Sequence, residues 1–202
     1  MKIEQIERII DAGTFSQSAD WLRIEEQIFQ AIQFIEWPPG SGSFTLRKES
    51  GKKRGQGSGV KPIKSACMQK LESFGWKLET PVDIASVRRP GPMDATCKVN
   101  ERLFCVEWET GNISSSHRSV NKMALGIMKK ILIGGALILP TRAMYRYLTD
   151  RVGNFPELSP YFPLWKSLIV QEGLLLVIAI EHDAVSDKVD RISKGTDGRA
   201  LW

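Results

Sequence analysis

The chain has 202 residues and a mass of 22.7 kDa, which is enough for one domain with a sizeable core but too little for two ordinary domains, so we predict a single domain over residues 1–202. Hydrophobic residues make up 42% of the chain and charged residues 25%, values that exclude a disordered or fibrous protein. The net charge of +5 favours an anionic partner such as nucleic acid without requiring one.

The start of the chain has helical periodicity. Ile3, Ile6, Ile9 and Ile10 predict a short helix that ends at Gly13. The segment "SADWLRIEEQIFQAIQFIEW" carries a second apolar stripe and predicts a longer helix that faces the core. The members of this stripe are Trp21, Ile24, Ile28 and Ile32.

The middle of the chain begins with a glycine-rich basic segment, residues 47–64. This segment does not match the P-loop pattern, and both a phosphate-binding loop and a mobile solvated loop remain open interpretations. The segment "SACMQKLESFGW" then predicts a helix, and "PMDATCKVNERLFCVEWET" predicts a β-hairpin.

The last third alternates between helices and apolar strands. "SSSHRSVNKMALGIMKK" predicts a helix and "GGALILP" a buried strand; a proline-rich loop over residues 154–163 precedes a second buried strand, "LLLVIAIEHD". Near-continuous apolar strands alternating with helices indicate an α/β fold with a mixed central β-sheet flanked by helices.

The sequence gives little support for several kinds of site and for export or membrane insertion. Cys67, Cys97 and Cys105 have no spacing typical of a zinc site or a disulfide framework, which fits a cytoplasmic protein. The amino-terminal segment lacks the apolar run of a signal peptide, and no apolar run is long enough to span a bilayer. With only two histidines, a histidine-based triad or an HExxH zinc site is poorly supported.

Acidic residues interrupt the apolar pattern of the hairpin. If residues 100 and 101 form a two-residue turn, Asp94 lies opposite Glu107. Strand alternation places Glu109 on the same face, whereas Phe104 and Val106 point the other way, into the core. Three carboxylates are therefore expected on one patch.

Like charges opposed across a sheet are unfavourable, and burial adds a desolvation cost. A hard cation such as Mg²⁺ would neutralise the carboxylates, which points to metal-assisted phosphoryl chemistry. A solvent-exposed hairpin face, on which the acids serve only solubility, is the open alternative.

The segment "EWETGNISSSHRSVNK" closely resembles the active-site segment of the BamHI family of type II restriction endonucleases. The blocks "GVKPIK", "LETPVDI", "GPMDA", "YLTDRVGNFPELSPYF" and "KGTDGR" follow the order and spacing of that family. The resemblance covers roughly residues 56 to 200 and is much more specific than a generic nuclease pattern. It implies a PD-(D/E)xK restriction-endonuclease-like core.

The resemblance also implies an activity. A member of this family is expected to be a Mg²⁺-dependent homodimer that cuts double-stranded DNA at the palindrome GGATCC. Cleavage after the first G would leave a 5′ GATC overhang, by two-metal phosphodiester hydrolysis. A structure-selective or repair nuclease, and a DNA-binding protein that does not cleave, are rival functions on the same core.

The resemblance assigns roles to individual residues. Glu79, Asp94 and Glu107 match metal ligands, and Glu109 matches the general base at a position where most PD-(D/E)xK nucleases have lysine. Lys64 matches a lysine near the active site and would contact phosphate, unless it is an ordinary surface lysine. The expected DNA-contacting residues are Lys64, Asn112, Ser114, Arg118, Asp150, Arg151, Asp197 and Gly198.

Two of these assignments have structural alternatives. Asn112, Ser114 or Ser115 would equally serve as an ordinary helix cap. The helix from about Ser115 to Lys130 is the dimer-interface candidate by resemblance, but its "MALGIM" face would equally pack inside one subunit. The chain also ends at Trp202, without the longer tail of the family.

Overall fold

The computed structural model describes residues 1–53, 55–84, 91–149 and 152–194. The strands are β1 (Lys2–Ala12), β2 (Thr45–Arg47), β3 (Lys77–Pro81), β4 (Pro92–Val99), β5 (Arg102–Trp108), β6 (Leu132–Pro140), β7 (Gly173–Glu181) and β8 (Ala184–Ser186). The helices are α1 (Ala19–Gln33), α2 (Lys61–Ser73), α3 (Ile113–Met128), α4 (Arg142–Tyr145), α5 (Phe155–Leu158) and α6 (Phe162–Lys166).

A six-stranded mixed sheet forms the centre of the fold, in the order β1-β7-β6-β5-β4-β3. Strands β5, β6 and β7 are parallel, and the antiparallel strands β4 and β1 extend the sheet on either side. Strand β3 pairs antiparallel with β4 at one edge, and β2 and β8 form a separate parallel pair. The predicted α/β fold with a mixed central sheet is confirmed.

Helices cover both faces of the sheet. Residues of α1 and α2 share one hydrophobic cluster with Phe104 and Val106, whereas residues of α3, α5 and α6 share a second cluster with Cys105 and Leu137. Strands β6 and β7 are buried along almost their whole length because they are covered on both faces. Their uninterrupted apolar sequences follow from this position.

An aromatic group forms the centre of the first cluster. The fully buried Phe104 ring lies 5.6 Å from Trp21, 6.2 Å from Phe15 and 6.3 Å from Trp76, measured between ring centroids. Trp21 belongs to the apolar stripe predicted for α1, and all four members of that stripe are buried. Ser18 caps this helix by accepting a hydrogen bond from the Trp21 N–H, at 3.1 Å.

The helix predicted over the first thirteen residues is wrong, because this segment is strand β1. Its pairing with β7 has two register shifts, one between Ile3 and Gln5 and one between Arg8 and Ile10. A β-bulge inserts an extra residue and resets the alternation of side chains between the two faces. Ile9 and Ile10 consequently both join the second cluster, and the apolar spacing imitates that of a helix.

The proline-rich segment over residues 154–163 is likewise not an irregular loop. It folds into α5, a single 3₁₀ turn over Ser159–Tyr161 and the start of α6, each with proline in its first turn. Proline suits that position because its missing N–H would have no partner within the helix.

The cysteines and helices agree with two further expectations. Cys67, Cys97 and Cys105 are free thiols, so no disulfide joins them. No helix in the described ranges has the length and apolar character needed to cross a bilayer.

Candidate active site where two central strands separate

The β4–β5 hairpin has the predicted register. Val99 pairs with Arg102 and Ala95 with Val106, and Asn100 occupies the tight turn with a φ of 52°. Asn tolerates this left-handed conformation better than most residues. The register brings Asp94 opposite Glu107, as the sequence predicts.

The hydrogen bonding between the two strands changes at Asp94. The Trp108 N–H donates to the side-chain Oδ2 of Asp94, at 2.7 Å. Asp94 is 8% exposed, so this carboxylate is held inside the protein by the backbone of the neighbouring strand. The charge is thereby fixed in position at the point where the two strands separate.

Glu79 on β3 flanks Asp94 on its other side. Leu78 pairs with Ala95 and Thr80 with Met93, so Glu79 lies opposite Asp94. Glu79 has a φ of 46°, and its side chain is 64% exposed. Positive φ is strained for glutamate, and strain of this kind concentrates at functional positions. Three acidic residues thus lie side by side on β3, β4 and β5.

Lys64 in the first half of α2 provides a positive charge to this row. Its Nζ lies 2.5 Å from Asp94 Oδ1 and 3.9 Å from Glu79 Oε1. The side chain is only 21% exposed, so the interpretation of Lys64 as an ordinary surface lysine is wrong. The ion pair instead connects α2 to the acidic row.

Glu107 is half-buried beside this pair. Burial, followed by repulsion from Asp94, raises the pKa of Glu107 to about 8, although Lys122 and Lys64 oppose the shift. Both effects favour the protonated, neutral form of this side chain unless a further positive charge lies beside it.

Glu109 lies just beyond the end of β5 and is 4% exposed. Its Oε1 accepts a hydrogen bond from the Gly111 N–H, at 2.6 Å, and its Oε2 accepts one from the Ser116 hydroxyl. Burial raises the pKa of Glu109, whereas these two hydrogen bonds act in the opposite direction. The carboxylate is thus fixed against the first turns of α3.

Three of the DNA-contact candidates within the described residues lie in the amino-terminal part of α3, and the fourth, Lys64, lies on α2. Asn112 is the N-cap, because its Oδ1 accepts hydrogen bonds from the Ser114 and Ser115 N–H groups at 3.0 and 3.3 Å. Asn112, Ser114 and Arg118 are all exposed. Capping therefore explains Asn112 structurally, while contact of these three residues with DNA stays a prediction. Four further candidates lie outside the described residues: Asp150, Arg151, Asp197 and Gly198.

The donor chemistry of the acidic row fits a hard cation. Glu79, Asp94 and Glu107 offer only carboxylate oxygens, the ligands that Mg²⁺ prefers. The high pKa of Glu107 arises mainly from burial and then from repulsion by Asp94, and a bound cation would favour the charged form of this carboxyl. In the described part of the chain, however, no three acidic, histidine or cysteine side chains are close enough together to hold an ion. Among the described residues, the Lys64 ammonium group forms an ion pair with Asp94.

Two alternatives from the sequence are resolved by burial. The hairpin face is not solvent-exposed, because Asp94 and Glu109 are both buried. The "MALGIM" segment packs inside its own subunit, because four of its residues lie in the second cluster or are buried beside it. These four are Met123, Ala124, Gly126 and Ile127.

Sequence reasoning missed several groups that support the acidic residues. Ser116 and Gly111 hold Glu109, and Lys122 on α3 donates to the backbone oxygens of Gly91 and Pro92, at 2.6 and 3.3 Å. From sequence, the serine run at residues 114–116 indicates only a helix cap. Ser116, its last member, instead turns inward.

Comparison with known proteins gives consistent results. The family model described as "Restriction endonuclease BamHI" matches residues 1–199. The type II restriction enzyme OkrAI of Oceanobacter kriegii is 48% identical over 201 residues, which cover 100% of both chains. The type II restriction enzyme BamHI of Bacillus amyloliquefaciens is 36% identical over 170 residues, which cover 80% of this chain and 75% of that enzyme.

Solved structures support the same fold. The restriction endonuclease BglII complexed with a DNA 16-mer has a TM-score of 0.64 at 11% identity, covering 95% of this chain and 88% of BglII. Free BglII has a TM-score of 0.50 at 10% identity, covering 91% and 81%. Likeness at such low identity shows the fold alone.

Proposed function

This chain belongs to the BamHI family and is a type II restriction endonuclease, and we propose that its site is the palindrome GGATCC, cut after the first G with Mg²⁺ as cofactor. The resemblance in sequence across the active-site and recognition blocks supports this choice of site. The product ends would carry 5′ GATC overhangs.

The observation that carries the proposal is the row of Glu79, Asp94 and Glu107 across three neighbouring strands. Asp94 is the best held of the three, by the Trp108 N–H and the Lys64 ammonium group. A buried carboxylate beside a second carboxylate lowers the stability of the fold, and a role in function would account for keeping it there. Cleavage of a phosphodiester gives this arrangement its purpose.

We assign Glu79, Asp94 and Glu107 as the residues that would hold Mg²⁺, with Glu109 as the fourth catalytic residue. When bound, Mg²⁺ supplies charge neutralisation at the scissile phosphate and lowers the pKa of a water molecule. Lys64 lies beside Asp94, and we assign to it a contact with a phosphate oxygen.

Glu109 would act as the general base. Its raised pKa makes it a better proton acceptor than an ordinary glutamate, and Ser116 and Gly111 fix its orientation. The proton would move from the attacking water to a Glu109 carboxylate oxygen as the phosphorus–oxygen bond forms. The bond to the 3′ oxygen breaks and leaves a 5′ phosphate.

We assign recognition of the DNA bases to the amino-terminal part of α3, together with Asp150, Arg151, Asp197 and Gly198. Arg118 is exposed one turn after Ser114, on the same side of the helix. Arginine pairs bidentately with guanine in the major groove, which suits the G·C pairs of GGATCC.

A homodimer is proposed because a palindrome is read most simply by a twofold pair of subunits, each cutting one strand. The "MALGIM" face is buried and therefore not available for this contact. Helix α3 also has an edge where His117 meets Tyr161, with 4.4 Å between the ring centroids. Tyr161 is 49% exposed beside α3, and we propose this edge of the helix as the contact with the second subunit.

The test is digestion of linear DNA of known sequence, with and without Mg²⁺, followed by sequencing of the fragment ends. We expect discrete fragments that begin with GATC at every GGATCC and no cleavage in EDTA. Fragments that map to another palindrome would contradict the proposed site. Cuts at junctions or ends would favour a repair nuclease, and binding without any cuts would favour a DNA-binding protein.

A further inference from the structure

The Glu109 carboxylate is connected to a second chain segment through the start of α3. Gly153 donates its N–H to the Gly111 carbonyl oxygen, at 2.8 Å, and the Gly111 N–H donates to Glu109 Oε1, at 2.6 Å. The segment around Gly153 therefore contacts the backbone that holds one oxygen of the carboxylate.

The same segment also contacts the group that holds the other oxygen. Ser116 is fully buried, and its hydroxyl donates to Glu109 Oε2. A Cβ atom at Gly153 would lie less than 3.0 Å from Ser116 Oγ, so only glycine lets the chain pass this hydroxyl without displacing it. Both partners of Glu109 are thus packed against Gly153.

Gly153 lies close in sequence to residues proposed to recognise DNA bases. Val152, Gly153 and Asn154 are all buried. They follow directly on Asp150 and Arg151, which the proposed function assigns to base reading. We call Asp150 and Arg151 the recognition segment; in sequence it leads directly into the contacts of Gly153 with Ser116 and Gly111.

We propose that Ser116 and Gly153 form the connection by which the recognition segment positions the Glu109 carboxylate for cleavage. Ser116 acts as a positioning residue, and Gly153 supplies the close approach that keeps its hydroxyl directed at Oε2. The inference rests on the proposed role of Glu109 as the base. It adds that correct base reading is transmitted to that base through a buried hydroxyl.

The experiment uses full-length Ser116→Ala, Gly153→Ala and the double variant, with Glu109→Ala as reference. Each is first checked by thermal unfolding and by gel shift on an uncut duplex in metal-free buffer. The duplex carries the recognition site that was mapped experimentally for the wild-type enzyme. The test therefore remains valid even if that site is not GGATCC. Single-turnover cleavage is then measured on this duplex and on one with a single base-pair change.

For Ser116→Ala we expect DNA affinity within about threefold of wild type and a cleavage rate lower by about 10- to 100-fold, the range for loss of a charge-assisted hydrogen bond. The ratio of cognate to near-cognate cleavage should fall as well, because only correct reading uses the connection. A role in folding alone would lower the unfolding temperature and the affinity together, without changing this ratio.

The double variant tests the connection itself. Gly153→Ala should lower the rate by displacing the Ser116 hydroxyl, so adding it to Ser116→Ala should cost little more. If the fold-losses in cleavage rate of the two single variants multiply in the double variant, the proposal is overturned. A wild-type cleavage rate and a wild-type ratio of cognate to near-cognate cleavage in Ser116→Ala would also overturn it. This second result remains decisive if Gly153→Ala fails to fold. Full activity in Glu109→Ala would instead refute the proposed function of that residue.

Discussion

Lys64 on α2 and Asp94 on β4 form a part-buried ion pair, with 2.5 Å between Nζ and Oδ1. The other oxygen of Asp94 is occupied by the Trp108 N–H. One carboxylate therefore connects a helix and two strands, and it lies in the middle of an acidic row. This arrangement makes the effect of removing each charge separable.

Asp94→Asn should abolish cleavage while retaining DNA binding. The asparagine amide keeps an oxygen for the Trp108 N–H but removes a negative charge that faces phosphate. We expect equal or tighter binding of a GGATCC duplex in metal-free buffer and no measurable cutting with Mg²⁺. The measurement is gel-shift affinity beside cleavage rate on the same preparation. A wild-type cleavage rate would remove Asp94 from the mechanism.

Lys64→Met should weaken DNA binding without metal by roughly tenfold, because it leaves Asp94 and Glu79 without their nearest cation. The matched control is the double variant Lys64→Met with Asp94→Asn, which restores the charge balance. We expect the double variant to recover part of the lost affinity, because the charge balance is restored while the phosphate contact of Lys64 is not, and to show no cleavage. Equal losses of affinity in both variants would indicate that Lys64 acts by a direct phosphate contact alone.

Much of this site was predictable from sequence because its geometry is local. The hairpin register follows from a two-residue turn, and register alone places Asp94 beside Glu107. The contacts of Lys64 and Ser116 were beyond reach, since they depend on where α2 and α3 pack against the sheet. Strand β1 was misassigned for a related reason: its bulges are determined by pairing with β7, far away in sequence.

Glu109→Lys places at this position the residue commoner among PD-(D/E)xK nucleases. We expect DNA binding with little or no cutting, because the Gly111 N–H cannot accept a hydrogen bond from an ammonium group and the Ser116 hydroxyl could accept one only after turning away from its present direction. Glu109→Gln is the matched control, since its amide keeps one acceptor oxygen but cannot take a proton. Cleavage rates of both variants are compared at equal DNA occupancy. Near-wild-type cutting by Glu109→Gln would exclude a general-base role.

Arg118→Ala should cost about 1 to 3 kcal/mol for each lost bidentate contact, counted twice in a symmetric dimer. The control is Lys98→Ala, which removes one positive charge from the exposed far end of the hairpin. Affinity for GGATCC should fall steeply in the first variant, with affinity for unrelated DNA nearly unchanged. A uniform loss on both DNAs would identify Arg118 as a phosphate contact.

Phe104→Ala should lower the free energy of unfolding by about 3 to 5 kcal/mol, because it empties the centre of an aromatic group that is closed to water. Phe34→Ala is the control, since that ring is 57% exposed and its loss should change stability by about 0.5 kcal/mol or less. Denaturant unfolding measures both. Similar values for the two variants would contradict the assigned core.

The pairing of β1 with β7 also determines when the enzyme can become active. Lys2 pairs with Glu181 and Ala12 with Gly173, so β1 has no partner in the sheet until β7 has been synthesised. Asp94 and Glu107 emerge much earlier, on a sheet that still lacks β6 and β7. A chain synthesised only as far as β5 therefore carries the acidic residues without the neighbouring strands of the sheet, and we expect cleavage activity only after β7 has been made.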